Sequence, residues 1–203
     1  TGINDDNCYS VIRGASNTLL DGFTITAGNG NGTVSLETDM GGGLYNNGIS
    51  NVKIRNCIFI NNFSKQGGAI GNYFCFDSII VSNCRFINNS SYNGGAIGNW
   101  DIRTFITNSI FTGNTTSSSN SYGAAIYNWG SGSTSVITNC TFYNNIDESS
   151  RGAIHNRGVT STVVNSILWG NGQDIVNSNP MSGCNVFYSC VEQPGYAGNN
   201  GNI

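Results

Sequence analysis

Apolar residues along this chain come in short alternating runs rather than at helical spacing. Val52-Lys53-Ile54, Ile79-Ile80-Val81 and Thr104-Phe105-Ile106 each read as a strand with one apolar face. Between the runs stand Gly, Asn, Ser and Thr, which are poor helix formers. The runs also recur. SNCRFINNSSYNGGAIGN, from Ser82 to Asn99, repeats RNCIFINNFSKQGGAIGN, from Arg55 to Asn72. Later copies keep the frame as TNSIFTGN…YGAAIYN, TNCTFYNN…RGAIHN and VNSILWGNGQDIVN, and DGFTITAGN…GGGLYN is a divergent first copy.

The first Asn of the half-motif N-C/S-x-F-x-x-N falls at Asn56, Asn83, Asn108, Asn139 and Asn165, in steps of 27, 25, 31 and 26 residues. A period in the twenties with variable insertions marks stacked units. With that Asn as origin, and Gly22 in its place in the first copy, three columns emerge. Leu20, Ile54, Val81, Ile106, Ile137 and Val163 precede it by two; Phe23, Cys57, Cys84, Ser109, Cys140 and Ser166 follow it by one. Ile25, Phe59, Phe86, Phe111, Phe142 and Leu168 follow by three. A fourth column is Leu44, Ile70, Ile97, Ile126, Ile154 and Ile175, trailed by Asn46, Asn72, Asn99, Asn128, Asn156 and Asn177. Like residues repeat in this way when each copy lies on the previous one about 4.8 Å away. Phe then stacks on Phe and thiol on thiol, and Asn amides form ladders. Small residues such as Gly68-Ala69 and Gly95-Ala96 allow sharp turns. The expected fold is all-β: a right-handed parallel β-helix of about seven coils, roughly 35 Å tall. It forms one domain over 1–203, with a partial first coil at 1–16 and an irregular last coil and tail at 179–203.

The paired tetrapeptides GGAI (Gly67–Ile70, Gly94–Ile97) and FxxN (Phe59–Asn62, Phe86–Asn89, Phe111–Asn114, Phe142–Asn145) resemble the repeats of chlamydial polymorphic outer-membrane proteins and of secreted adhesin-like parallel β-helix proteins. LDGFTITAGN (Leu20–Asn29) and VFYSCVEQPGY (Val186–Tyr196) resemble the opening and closing segments of such β-helices. Gly-Ala-Ala-Ile at 123–126, Arg-Gly-Ala-Ile at 151–154 and Gly-Gln-Asp-Ile at 172–175 depart from the tetrapeptide. The resemblance implies an extracellular or cell-surface structural module, adhesin-like and non-catalytic. Its implied partners are other surface proteins, glycans or its own copies. Because no terminal helix reads as a cap, end-to-end assembly into filaments is a further expectation.

Composition narrows the classes. Charged residues make up only 9% of the 203 residues, against the usual quarter or so, and the formal net charge is −3. That excludes the basic stripe of a nucleic-acid binder. No apolar run has the length of a membrane span. The sequence shows no leader and begins at Thr1, which reads as a processed or excised piece. Of the 7 Cys, Cys57, Cys84 and Cys140 share an inward column and read as reduced, stacked thiols. Cys184 and Cys190 lie outside that column and are the disulfide candidate; Cys8 and Cys75 give no signal.

Parallel β-helices also include polysaccharide lyases and glycoside hydrolases, which makes a carbohydrate-active enzyme the alternative. Its candidate residues are Asp77, Asp101 and Arg103, with Lys53, Arg55 and Arg85 nearby: one chemistry needs a base and a cation, the other two facing carboxylates. The binding candidate is an aromatic file after the second Asn column, Tyr73, Trp100 and Trp129, ending at Arg157. It is either a sugar platform or a turn seal. His155 occupies a slot filled elsewhere by Gly71, Gly98 and Tyr127, and no role is expected for it. No spacing suggests zinc or another cofactor. Asp5-Asp6-Asn7 and Glu37-Thr38-Asp39 supply too few ligands for Ca²⁺. The N-x-S/T sequons at Asn31, Asn62, Asn88, Asn89, Asn114 and Asn139 follow from an Asn-rich composition.

Overall fold

The computed structural model describes residues 8–32 and 39–203. Among them the strands form four parallel sheets, labelled A to D in the order a coil meets them. Sheets A, B and C have seven strands each and sheet D has five. One central coil supplies Ile97–Trp100 to A, Arg103–Thr107 to B, Ile110–Thr112 to C and Thr115–Thr116 to D. The parallel β-solenoid is therefore as expected, but five coils are complete where about seven were expected. The last two coils lack sheet D because the chain is too short there. Four residues separate Asn171 from Ile175, where eight separate Asn89 from Ile97.

The columns stack in the expected register. Phe59, Phe86, Phe111 and Phe142 lie face to face, with centroids 5.2, 4.6 and 4.6 Å apart and rings within 8° of parallel. All four are fully buried, and Ile54, Ile70, Ile97 and Ile126 complete the core beside them.

Asn residues divide into two kinds of column. In the FxNN corners, the first Asn turns the backbone: Asn61, Asn88 and Asn144 have φ of 54°, 51° and 53°. The left-handed region favours Asn over other residues with a Cβ, and where Asn is missing, Gly113 and Gly170 take over. The next Asn goes inside. Asn62, Asn89, Asn114, Asn145 and Asn171 are buried and each amide donates to the next, at 2.8 to 3.1 Å. Each also donates to a backbone carbonyl of the coil before, as Asn89 does to Phe59 O at 3.0 Å. The Asn46-to-Asn177 column is a second buried ladder. Asn56, Asn83, Asn108, Asn139 and Asn165, by contrast, are left-handed corner residues whose side chains stand at the surface. Their laddering is a short run from Asn165 to Asn139 at 2.6 Å and from Asn139 to Asn108 at 3.2 Å.

The GGAI turns divide their work as well. Gly67 and Gly94 take φ of 65° and 68°, so the first Gly makes the turn. The second makes a close approach: a Cβ on Gly68 would lie 2.3 Å from Gly95 O.

Every cysteine is a free thiol. Cys184 and Cys190 do not bridge, which corrects the disulfide expectation. The strand Gly183–Phe187 buries Val186, so Cys184 two residues earlier shares its inward side. In Cys190–Val191 it is Val191 that is buried, which turns Cys190 outward beside Ile167. Burial pushes the Cys84 thiol up to about 12 and that of Cys140 to about 11. Only the thiolate reacts, so native protein treated with a thiol reagent should react fast at exposed Cys8 and hardly at all at Cys57, Cys84 and Cys140. Labelling followed by peptide mapping checks this; rapid native labelling of Cys84 would contradict the assigned core.

The tail is not an open edge. Val191 N donates to Ile203 O, Ile203 N to Ser189 O, and Tyr188 N to Asn200 O. Ser189 N donates to Asn202 Oδ1, which ends the row of hydroxyls that continues the thiol column. The Gln193 side chain accepts from Asp174 N and Ile175 N on sheet A. A second copy stacking there would have to displace these bonds. No helix of the described residues is long and apolar enough to cross a membrane. Asp5-Asp6-Asn7 and Glu37-Thr38 lie outside the described residues.

Candidate functional site

The outer rim where sheet A turns into sheet B is built from unequal loops. In one coil the turn is Phe74–Ser78, in the next Asp101–Ile102, and in the third Gly130–Ser133. Between them lies a groove of about 320 Å³, lined by Cys75, Phe76, Asp77 and Ser78, by Asp101, Ile102 and Arg103, and by Gly132. The three enzyme candidates, Asp77, Asp101 and Arg103, therefore share one groove. Lys53, Arg55 and Arg85 do not join it. They are exposed on sheets B and C, and Arg55 pairs with Asp21 at 2.9 Å.

Each carboxylate has a local duty. Asp77 accepts from Ser78 N at 2.6 Å. Asp101, left-handed at φ 50°, accepts from Gly132 N at 3.2 Å and so clips two coils together. Two aromatics stand on the longest of these turns, and Phe76 lines the groove. Phe76 is 81% exposed and Phe74 45%. Phe74 is held at φ 44°, which is rare for a bulky residue and costs on the order of 1–3 kcal/mol. Its ring meets Tyr73 edge-on at 4.5 Å. Two outward rings kept beside a polar groove, one on a strained backbone, form a surface suited to the apolar faces of sugar rings.

The aromatic file is in register: Asn47, Tyr73, Trp100, Trp129 and Arg157 pair in sequence across sheet A. Its members differ in exposure. Trp100 is 9% exposed and lies back over Gly98, where a Cβ would fall 2.3 Å from the indole ring. It packs edge-on against Tyr127 at 5.7 Å and joins a small cluster with Met40 and Tyr45. Trp129 is exposed, Tyr73 half-buried. With Met40, Gln66 and Trp100 they line a hollow of about 250 Å³. Trp100 is thus the wall, and Tyr73 and Trp129 are the open parts. The Gly98-x-Trp100 pair carried the signal, since residues two apart share a face of a strand.

His155 was misjudged from sequence. Its column runs Tyr45, Gly71, Gly98, Tyr127, His155 and Val176. The ring is 1% exposed, with centroids 4.8 Å from Tyr122 and 5.8 Å from Tyr127. Its Nδ1 stands 2.8 Å from Arg151 O. Burial holds its pKa below the usual imidazole value. Tyr122 stacks in a column with Met40, Gln66 and Asn93, which share no residue type, so the column did not announce the packing.

Among the described residues no three or more His, Cys, Asp or Glu gather as a metal site. Comparison with family models, curated proteins and solved structures finds no match for the chain.

Proposed function

We propose that this β-solenoid is an extracellular, adhesin-like glycan-binding module, its ligand lying along the rim where sheet A turns into sheet B. The observation that carries the reading is the 81% exposure of Phe76 beside a groove holding Asp77, Asp101 and Arg103. Sugars are bound by an aromatic face together with planar polar groups, and both are present here within one groove. Trp129 and Tyr73 lengthen the surface along the stack. The repeat resemblance to secreted adhesin-like β-helices supports the cell-surface setting.

On a glycan array, and then by calorimetry, Phe76→Ala and Trp129→Ala should each weaken binding about tenfold, the equivalent of one lost stacking contact of 1–3 kcal/mol. Their melting temperatures should stay near that of the parent, because both rings are exposed. Trp100→Ala should do the reverse and lower the melting temperature. No binding to any glycan, or binding indifferent to Phe76 and Trp129, removes the reading.

The same groove supports a catalytic alternative, because two carboxylates and an arginine from adjacent coils line it. Incubation with uronate polymers and neutral glycans, watching for unsaturated or reducing ends, separates the two. Turnover abolished by Asp101→Asn assigns an enzyme.

A further inference from the structure

We infer that the end of the aromatic file is an anion site, built by Arg151, Arg157 and His155 around Tyr122, which gives the module a preference for acidic sugars. The inference rests on the glycan-binding reading. It starts from two guanidinium groups packed on one ring: Arg151 Cζ lies 4.4 Å and Arg157 Cζ 5.6 Å from the Tyr122 centroid. His155 sits edge-on to that same ring. In a chain with 8 basic residues, two brought to one tyrosine is a local excess of positive charge. The ion pairs at the described residues, Arg55–Asp21 and Lys65–Asp39, involve neither of them.

A second observation points to a ligand. Arg151 Nη1 and His155 Nε2 are buried with no hydrogen-bond partner. A buried polar atom without a partner costs about 1–3 kcal/mol, more for a charged group. Arg151 Nη1, packed against that ring, marks an unfilled acceptor position, and His155 Nε2 becomes a second donor only when protonated. A carboxylate or sulfate oxygen satisfies a guanidinium N–H directly. It satisfies the imidazole once Nε2 is protonated, because Nδ1 already faces the Arg151 carbonyl.

The surroundings set the sign of the field. Asp147 is the acid of the cluster; Ser149 N and Ser121 Oγ hold its Oδ1 at 2.7 and 3.3 Å, while its Oδ2 has no partner. Tyr127 carries a neutral phenol whose pKa burial raises and Arg157 partly restores. Two arginines against one aspartate leave the cluster cationic with His155 neutral, and more so with it protonated. Tyr122 is held through its backbone, with its N–H donating to Tyr92 O and its O accepting from Gly94 N. Arg157 is exposed and follows Trp129 in the file. A sugar stacked on Trp129 would therefore present its acidic substituent to Arg157 first.

His155 is the sole histidine, so its ring protons give one unambiguous NMR signal. The full chain is titrated with glucuronate, with glucose and with inorganic sulfate, and then with oligomers of a uronate, a sulfated and a neutral sugar. Glucuronate should shift the His155 ring signals and raise their pH midpoint, while glucose should not. The uronate oligomer should bind about tenfold tighter than its neutral counterpart. Arg157→Gln and Arg151→Gln should each remove that preference, bringing the uronate oligomer's affinity down to that of its neutral counterpart. Preference for the sulfated over the uronate oligomer, lost in the same variants, assigns a sulfate ester as the anion. Neutral-sugar binding that needs Phe76, with no acidic preference, overturns the anion site and leaves the glycan reading standing. Binding of no oligomer overturns both. A His155 shift that inorganic sulfate matches, without any oligomer preference, means an adventitious ion only.

Discussion

Asn89→Leu is expected to destabilise the solenoid by about 2–6 kcal/mol, while Asn88→Gly beside it changes stability by less than about 1 kcal/mol. The two asparagines are identical in sequence terms and opposite in physical role. Asn89 is fully buried. Its Oδ1 accepts from Asn62 N at 3.1 Å and Asn62 Nδ2 at 3.0 Å, and its own Nδ2 donates to Phe59 O and Asn114 Oδ1. Leucine fills the volume and offers none of these. Asn114 Oδ1 keeps the Asn89 backbone N–H. The Asn62 N–H and one Asn62 amide hydrogen are left buried and unpaired, each costing about 1–3 kcal/mol, while the Phe59 carbonyl keeps its ladder bond in sheet C. Asn88 is exposed at φ 51°, a conformation that glycine adopts freely, as Gly113 does in the next coil. Urea unfolding of both variants checks the contrast. Equal losses would contradict the division between corner and ladder.

That division shows where sequence reading stops. The columns were legible because a solenoid repeats one environment per coil, so Phe59, Phe86, Phe111 and Phe142 announce their stacking by recurrence alone. The two roles inside an Asn-Asn pair were not, since both positions carry the same residue. The clue was substitution: Gly113 and Gly170 stand in for the first Asn at a corner of positive φ, while the second position keeps Asn in each coil from Asn62 to Asn171. Cys190 was misread because it lies one residue off the inward column, and one residue in a strand reverses the face.

The candidate site was legible only in part, for a related reason. Register placed Tyr73, Trp100, Trp129 and Arg157 in one file correctly, yet it could not show that Trp100 folds over Gly98 and leaves the open surface to its neighbours. Asp77, Asp101 and Arg103 meet because three loops of different length pack on one rim, and loops carry no period. His155 belongs to a regular column, but it is packed by Tyr122, whose own column of Met40, Gln66 and Asn93 shares no residue type. The candidate groove lies where the loops differ in length, beside the Phe74–Ser78 turn.

Phe86→Ala is expected to cost about 3–5 kcal/mol, the range for deleting a buried phenylalanine. The ring lies between Phe59 and Phe111, nearly parallel to both, and is fully buried in the third of seven sheet C rungs. Strands hold the coils at their hydrogen-bonding distance, so the stack cannot close over the gap, and a cavity persists. Phe86→Leu should cost less, about 1–2 kcal/mol, because Leu and Ile already end this column at Leu168 and Ile25. Phe23→Ala should cost under about 1 kcal/mol, since that ring in the first coil is 58% exposed. Phe86→Ala combined with Phe111→Ala should lose less than the two singles added, because the second deletion removes a ring already missing a stacking partner. Denaturant midpoints at constant slope measure all four. Equal losses for Phe86→Ala and Phe23→Ala would place the apolar column elsewhere, and strict additivity of the pair would mean that the rings contribute through burial alone, without stacking.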